Sequence, residues 1–154
     1  SPAHNDSFGY HYGRAARIVP PSTHAKGIAM NKELFDKGLA IRKSVIGAEF
    51  VDEALASADD FNMPLQELVT EYCWGAVWGR EGLEKKTRSL LNIAMLSTLN
   101  RPHELKVHVK GAIRNGATKE EIREVLMQVA IYAGVPAAVD SFRIAKEALA
   151  EIAK

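Results

Sequence analysis

The chain has 154 residues, 47% of them hydrophobic and 25% charged, enough for one folded unit with a substantial core. Acidic and basic residues nearly cancel at a formal charge of +1, so there is no electrostatic footprint for nucleic acid or an anionic membrane. A single cysteine, Cys73, excludes an intrachain disulfide and any metal or redox site built from two cysteines, and no apolar run approaches the roughly 20 residues that span a bilayer.

Residues 1 to 29 are rich in Pro, Gly, Ser and His and show no sustained period, which predicts a leader or appended segment ahead of Met30. Its histidines, His4, His11 and His24, fit no metal-ligand spacing, and no metal site is expected. The segment also lacks the continuous apolar stretch of a secretory signal, so the expectation is a cytoplasmic protein.

From Asn31 onward no run alternates apolar and polar residues as a strand would, and the periods predict seven helices. They run Lys32 to Ile46, Glu49 to Ala58, Pro64 to Arg80, Glu84 to Leu99, Pro102 to Asn115, Lys119 to Ala133 and Pro136 to Ala153. In the third, Leu65, Leu68, Val69, Tyr72 and Ala76 share one face while Trp74 and Trp78 lie nearly opposite, beside Glu71. Two apolar faces predict burial on both sides, with Cys73 as a small core residue. Two tryptophans one turn apart either wall a ligand site or staple a core or interface.

The charged stretch that follows holds Arg80, Lys85, Lys86 and Arg88, interrupted by Glu81 and Glu84. Solvated surface accounts for the lysines. Arg80 ends the tryptophan helix and Arg88 borders the Leu91 and Met95 stripe of the next, so both are candidates to reach inward as forks for a carboxylate. In the fifth helix Leu105, His108, Val109 and Ala112 fall at i, i+3, i+4 and i+7, which puts a titratable imidazole on a buried stripe one turn after Glu104. Burial opposes the charged form of such a histidine and a carboxylate favours it, a balance suited either to proton handling or to a hydrogen-bonded structural role.

Asn115 and Gly116 read as a helix C-terminal cap, and Thr118 with Glu121 as a capping box opening the next helix. Pro136 suits the first turn of the last helix. That helix carries Ala138, Phe142, Ala145, Leu149 and Ile152, a seam for the chain's own core or for another subunit. Phosphate-cradling glycine loops, nucleophile elbows and zinc motifs are absent from the sequence.

The stretch from Glu71 to Phe142, above all CWGAVWGR, HVKGAIRNG and YAGVPAAVDSF, resembles the 4-carboxymuconolactone decarboxylases of the protocatechuate (beta-ketoadipate) branch of aromatic degradation. The resemblance extends from Met30 almost to the C-terminus. In the alkylhydroperoxidase D relatives a CxxCxxxH motif sets two redox cysteines before the histidine; here those positions hold Arg101 and Glu104, while His108 remains. The resemblance implies an all-α, alkylhydroperoxidase D-like helical bundle assembled as a homo-oligomer, a trimer or hexamer.

It also implies a carboxy-lyase that acts without a cofactor on a small lactone dicarboxylate. Loss of CO2 from the quaternary ring carbon of 4-carboxymuconolactone pushes electrons through the ring double bond to the lactone carbonyl. Protonation next to that carbonyl then gives 3-oxoadipate enol-lactone. The substrate is its own electron sink, so the protein supplies an acid, oxyanion donors and cationic clamps. On this reading His108 donates the proton or polarises the carbonyl, oriented by Glu71 or Glu104; Arg80 and Arg88 bind carboxylates, and Trp74 and Trp78 exclude water. The competing expectations are a thiol-dependent peroxidase of the same superfamily and a non-catalytic helical assembly protein.

Overall fold

A computed structural model describes residues 29–153. The leader expected over residues 1 to 29, with His4, His11 and His24, therefore lies outside the described residues except at its last position. Among the described residues the secondary structure is helical throughout: α1 (Lys32–Ile46), α2 (Ala48–Ala56), α3 (Met63–Leu68), a π-helical segment (Val69–Val77), α4 (Lys85–Thr98), α5 (Pro102–Arg114), α6 (Lys119–Tyr132) and α7 (Val135–Ile152).

Local chemistry explains where these elements begin and end. Asn31 caps α1, its side-chain oxygen accepting from the Leu34 N–H at 3.1 Å. The Thr118 hydroxyl accepts from the Glu121 N–H at 3.1 Å, and the Glu121 carboxylate accepts from the Thr118 N–H at 2.8 Å, closing the capping box. Between these two elements, α5 ends through an Ala117 N–H to Ala112 carbonyl bond of 2.9 Å, with Gly116 at φ 87°. Only a residue without Cβ takes that left-handed turn at little cost.

Two apolar centres hold the helices together. Ile93, Leu105, Val109, Ala112, Ile122, Leu126, Ile144, Ala145 and Ala148 fill the space between α4, α5, α6 and α7. Phe142 and Leu149 pack against this centre and Ile152 stays exposed, so most of the α7 seam serves the chain's own core. Val45, Ile46, Val51, Trp74 and Trp78 form the second centre between α1, α2 and the π segment, with Val107 of α5 packed onto it. Helix α5 thus faces both, and His108 lies at the seam between them.

The crossing of α1 on the π segment is unusually close. A Cβ on Gly38 would stand 2.0 Å from the Thr70 carbonyl oxygen, and one on Gly75 would stand 2.4 Å from that of Leu34. Here the structure departs from the single helix expected over Pro64 to Arg80: the chain changes from α to π winding at Val69, and Trp78 N–H reaches back five residues to the Cys73 carbonyl at 3.0 Å. Burial on both sides also fails. Leu65, Leu68 and Tyr72 are exposed, whereas the tryptophan face is buried. Cys73, expected as a small core residue, is exposed as well.

Candidate functional site

The π segment carries Trp74 and Trp78 inward, 4% and 5% exposed, with ring centroids 4.8 Å apart. Across from them the imidazole of His108 lies nearly parallel to Trp74, at 6.1 Å and 8°, and to Trp78, at 6.3 Å and 23°. These are offset-stacked separations. The histidine expected on a buried stripe is in fact partly buried: Leu105, Val109 and Ala112 enter the core, and His108 stands at its edge.

Desolvation among these rings pushes the His108 pKa down to about 4, against the opposing charge of Glu104. At neutral pH the ring is therefore uncharged, with one nitrogen donating and the other accepting. Its hydrogen-bonding neighbour is Asn92 of α4, whose amide Nδ2 lies 3.4 Å from Nδ1. Asn92 was not among the sequence candidates. The signal available was a lone amide inside the apolar run SLLNIAML, an intruder of the same kind as His108.

The other candidates occupy distinct places. Glu104, one turn before His108, is exposed and acts on it through charge. Glu71 is buried, but its described hydrogen bond comes from the Asn31 N–H at 3.1 Å, so it ties the start of α1 to the π segment and does not orient the imidazole by a hydrogen bond. Arg88 lies one helical turn before Asn92. Its Nη2 donates to the Arg80 carbonyl at 3.2 Å, while its Nε–H is buried without a partner among the described residues. The Arg80 side chain is exposed, and it is the Arg80 backbone that meets Arg88. The fold thus gathers Trp74, Trp78 and His108 with Asn92, sets Arg88 one turn away, and leaves Glu71 and Arg80 less directly engaged.

A further buried cation, Arg42 of α1, donates to the Thr70 hydroxyl at 3.0 Å. Burial lowers its pKa, and partial desolvation raises that of the nearby Cys73 thiol, each opposed by the other's charge. Cavity size does not mark the site: a groove of 670 Å³ lies between α6 and α7 and includes none of these residues. Among the described residues no group of three His, Cys, Asp or Glu side chains is placed to hold a metal ion.

The carboxymuconolactone decarboxylase family model matches residues 64–147, which span the π segment, α4, α5, α6 and most of α7. This chain belongs to the carboxymuconolactone decarboxylase family. Within that family it is 40% identical over 128 residues to a nitrosuccinic acid decarboxylase of Metarhizium robertsii, covering 83% of this chain and 90% of the relative. It is 35% identical over 122 residues to a 4-carboxymuconolactone decarboxylase of Acinetobacter baylyi, covering 79% and 91%. Both relatives are decarboxylases by name, with different substrates, and a carboxy-lyase reaction on a small molecule is what they have in common. No described helix is long and apolar enough to cross a membrane.

Proposed function

We propose that this protein decarboxylates 4-carboxymuconolactone to 3-oxoadipate enol-lactone in the protocatechuate branch of aromatic catabolism, with no cofactor. The observation that carries the reading is a neutral, partly buried His108 stacked on two buried tryptophans in a chain similar over most of its length to such a decarboxylase. A pKa of about 4 narrows the role of His108. It holds no second proton at neutral pH, so it acts as a neutral N–H donor that polarises the lactone carbonyl as negative charge develops on its oxygen. Arg88, with a buried donor to spare, binds a substrate carboxylate, and Arg80 adds positive charge from the rim. Trp74 and Trp78 keep water from the departing carboxylate, and Glu104 tunes the imidazole through its charge.

The 40% identity to a nitrosuccinic acid decarboxylase supports a second substrate class for the same machinery. Loss of the carboxylate beside a nitro group leaves a nitronate, whose charge sits on oxygens as a lactone dienolate's does. One donor and one cationic clamp serve both. The peroxidase reading is disfavoured: the chain has one cysteine, and Cys73 is held in its thiol form by a raised pKa.

The deciding experiment follows loss of the lactone by absorbance, with nitrosuccinate assayed alongside. Turnover of the lactone is expected, and His108→Asn, folded by circular dichroism, is expected to lose about 10²- to 10⁴-fold in rate. Near-normal turnover by that variant overturns the role of His108, and turnover of nitrosuccinate alone overturns the substrate. The exposed apolar side chains Leu91 and Met95 on α4, Leu99 just after it, and Ile131 and Tyr132 on α6 support assembly as a homo-oligomer within the same proposal, the family resemblance implying a trimer or hexamer.

A further inference from the structure

We propose that Asn92 is a positioning residue for His108: its side-chain amide donates to Nδ1 and so holds the imidazole as the tautomer with its proton on Nε2. This rests on the decarboxylase reading, because it matters only where an Nε2–H must meet a developing oxyanion.

Three observations converge. The amide nitrogen of Asn92, and not a carboxylate, faces the ring nitrogen, at 3.4 Å. The ring lies nearly parallel to Trp74 and Trp78, which fixes its plane with the Nδ1 edge toward α4. Neither Glu71 nor Glu104 makes a described hydrogen bond to the ring, so among the described residues Asn92 alone selects which nitrogen carries the proton. A neutral imidazole accepts at one nitrogen and donates from the other, so a donor placed at Nδ1 sends the proton to Nε2.

The amide is also the appropriate partner for an uncharged ring. A carboxylate at that place would accept from Nδ1–H, send the lone pair to Nε2 and favour the imidazolium. An amide holds the tautomer without adding charge. The 3.4 Å separation is long for a hydrogen bond and leaves room to tighten as the opposite nitrogen engages the substrate.

The test is nitrogen NMR on the full chain labelled with ¹⁵N-histidine at pH 7, with the His108 signals identified by their loss in His108→Asn. The expected wild-type pattern is an unprotonated Nδ1 and a protonated Nε2. Asn92→Leu is expected to weaken that preference toward the balance of a free neutral imidazole, visible as a shift of both ring-nitrogen signals, and to lower kcat about 10- to 100-fold with KM within about twofold. Asn92→Asp is expected to move the proton to Nδ1 and to raise the His108 titration midpoint. A protonated Nδ1 in the neutral wild-type ring overturns the proposal, as does an Asn92→Leu variant with unchanged tautomer and kcat. The wild-type reading needs only the His108→Asn spectrum for assignment, and no substrate. If the tautomer responds as stated while no lactone or nitrosuccinate is turned over, the reaction falls and the positioning of His108 stands.

Discussion

At the scale of single residues the chemistry is set by which charges the fold strips of water. His108 has a folded-state pKa of about 4 against 6.5 in an open chain, so between those values the unfolded state binds a proton that the native state refuses. Stability therefore rises with pH across that window and is lost as pH falls from about 6.5 to 4. The loss is on the order of 3 kcal/mol for this one group. Urea unfolding at pH 7 and pH 4 measures it, and in His108→Asn the part of the pH dependence due to this residue is expected to vanish. Arg88 makes a separate prediction. Removing a charged donor from a carboxylate costs about 1.5–3 kcal/mol, so Arg88→Gln is expected to raise KM roughly 10- to 100-fold. The effect at Arg80→Gln is expected to be smaller, because that side chain is exposed and screened by solvent.

Among the elements, the crossing of α1 on the π segment decides where the tryptophans point. Gly38→Ala gains about 1 kcal/mol of helix propensity, but its methyl meets the Thr70 carbonyl at 2.0 Å, backbone that cannot rotate away. Overpacking of that kind costs about 1–3 kcal/mol or more, so a net loss of thermal stability is expected, with reduced turnover as the π segment shifts. The α6 cap is a milder case: Thr118→Ala is expected to cost about 1 kcal/mol, read as a lower melting temperature with unchanged KM. Helix existence, the cap at Asn115 and Gly116 and the capping box at Thr118 were all legible in the sequence, because each depends on neighbours within a few positions. The π winding was not. The apolar spacing was read at the α period, which carries no mark of i→i+5 bonding, and only the approach of Gly38 to Thr70 shows what the wider turn accommodates.

For the whole molecule, the unpartnered apolar surface is the feature to explain. Ile131 and Tyr132 are 78% and 82% exposed, and Leu65 and Leu68 leave a second apolar strip beside the π segment. An assembly of copies is expected in sedimentation at a mass several times the 16.9 kDa of one chain, and Ile131→Glu is expected to shift it toward smaller species. The sequence by itself determined the helical class, the local caps, the lone cysteine and the presence of an imidazole and two tryptophans on inward faces, because periodicity and composition report on neighbours along one helix. Only the tertiary structure decided that His108 stacks on both tryptophans from another helix, that Asn92 is its partner, that Arg88 folds back on Arg80, that Glu71 bonds to α1, and that Cys73 emerges at the surface. Each of these depends on how two or more helices cross. Crossing is set by the close approach of small residues and by the filling of shared space, neither of which has a period that one strand of sequence displays.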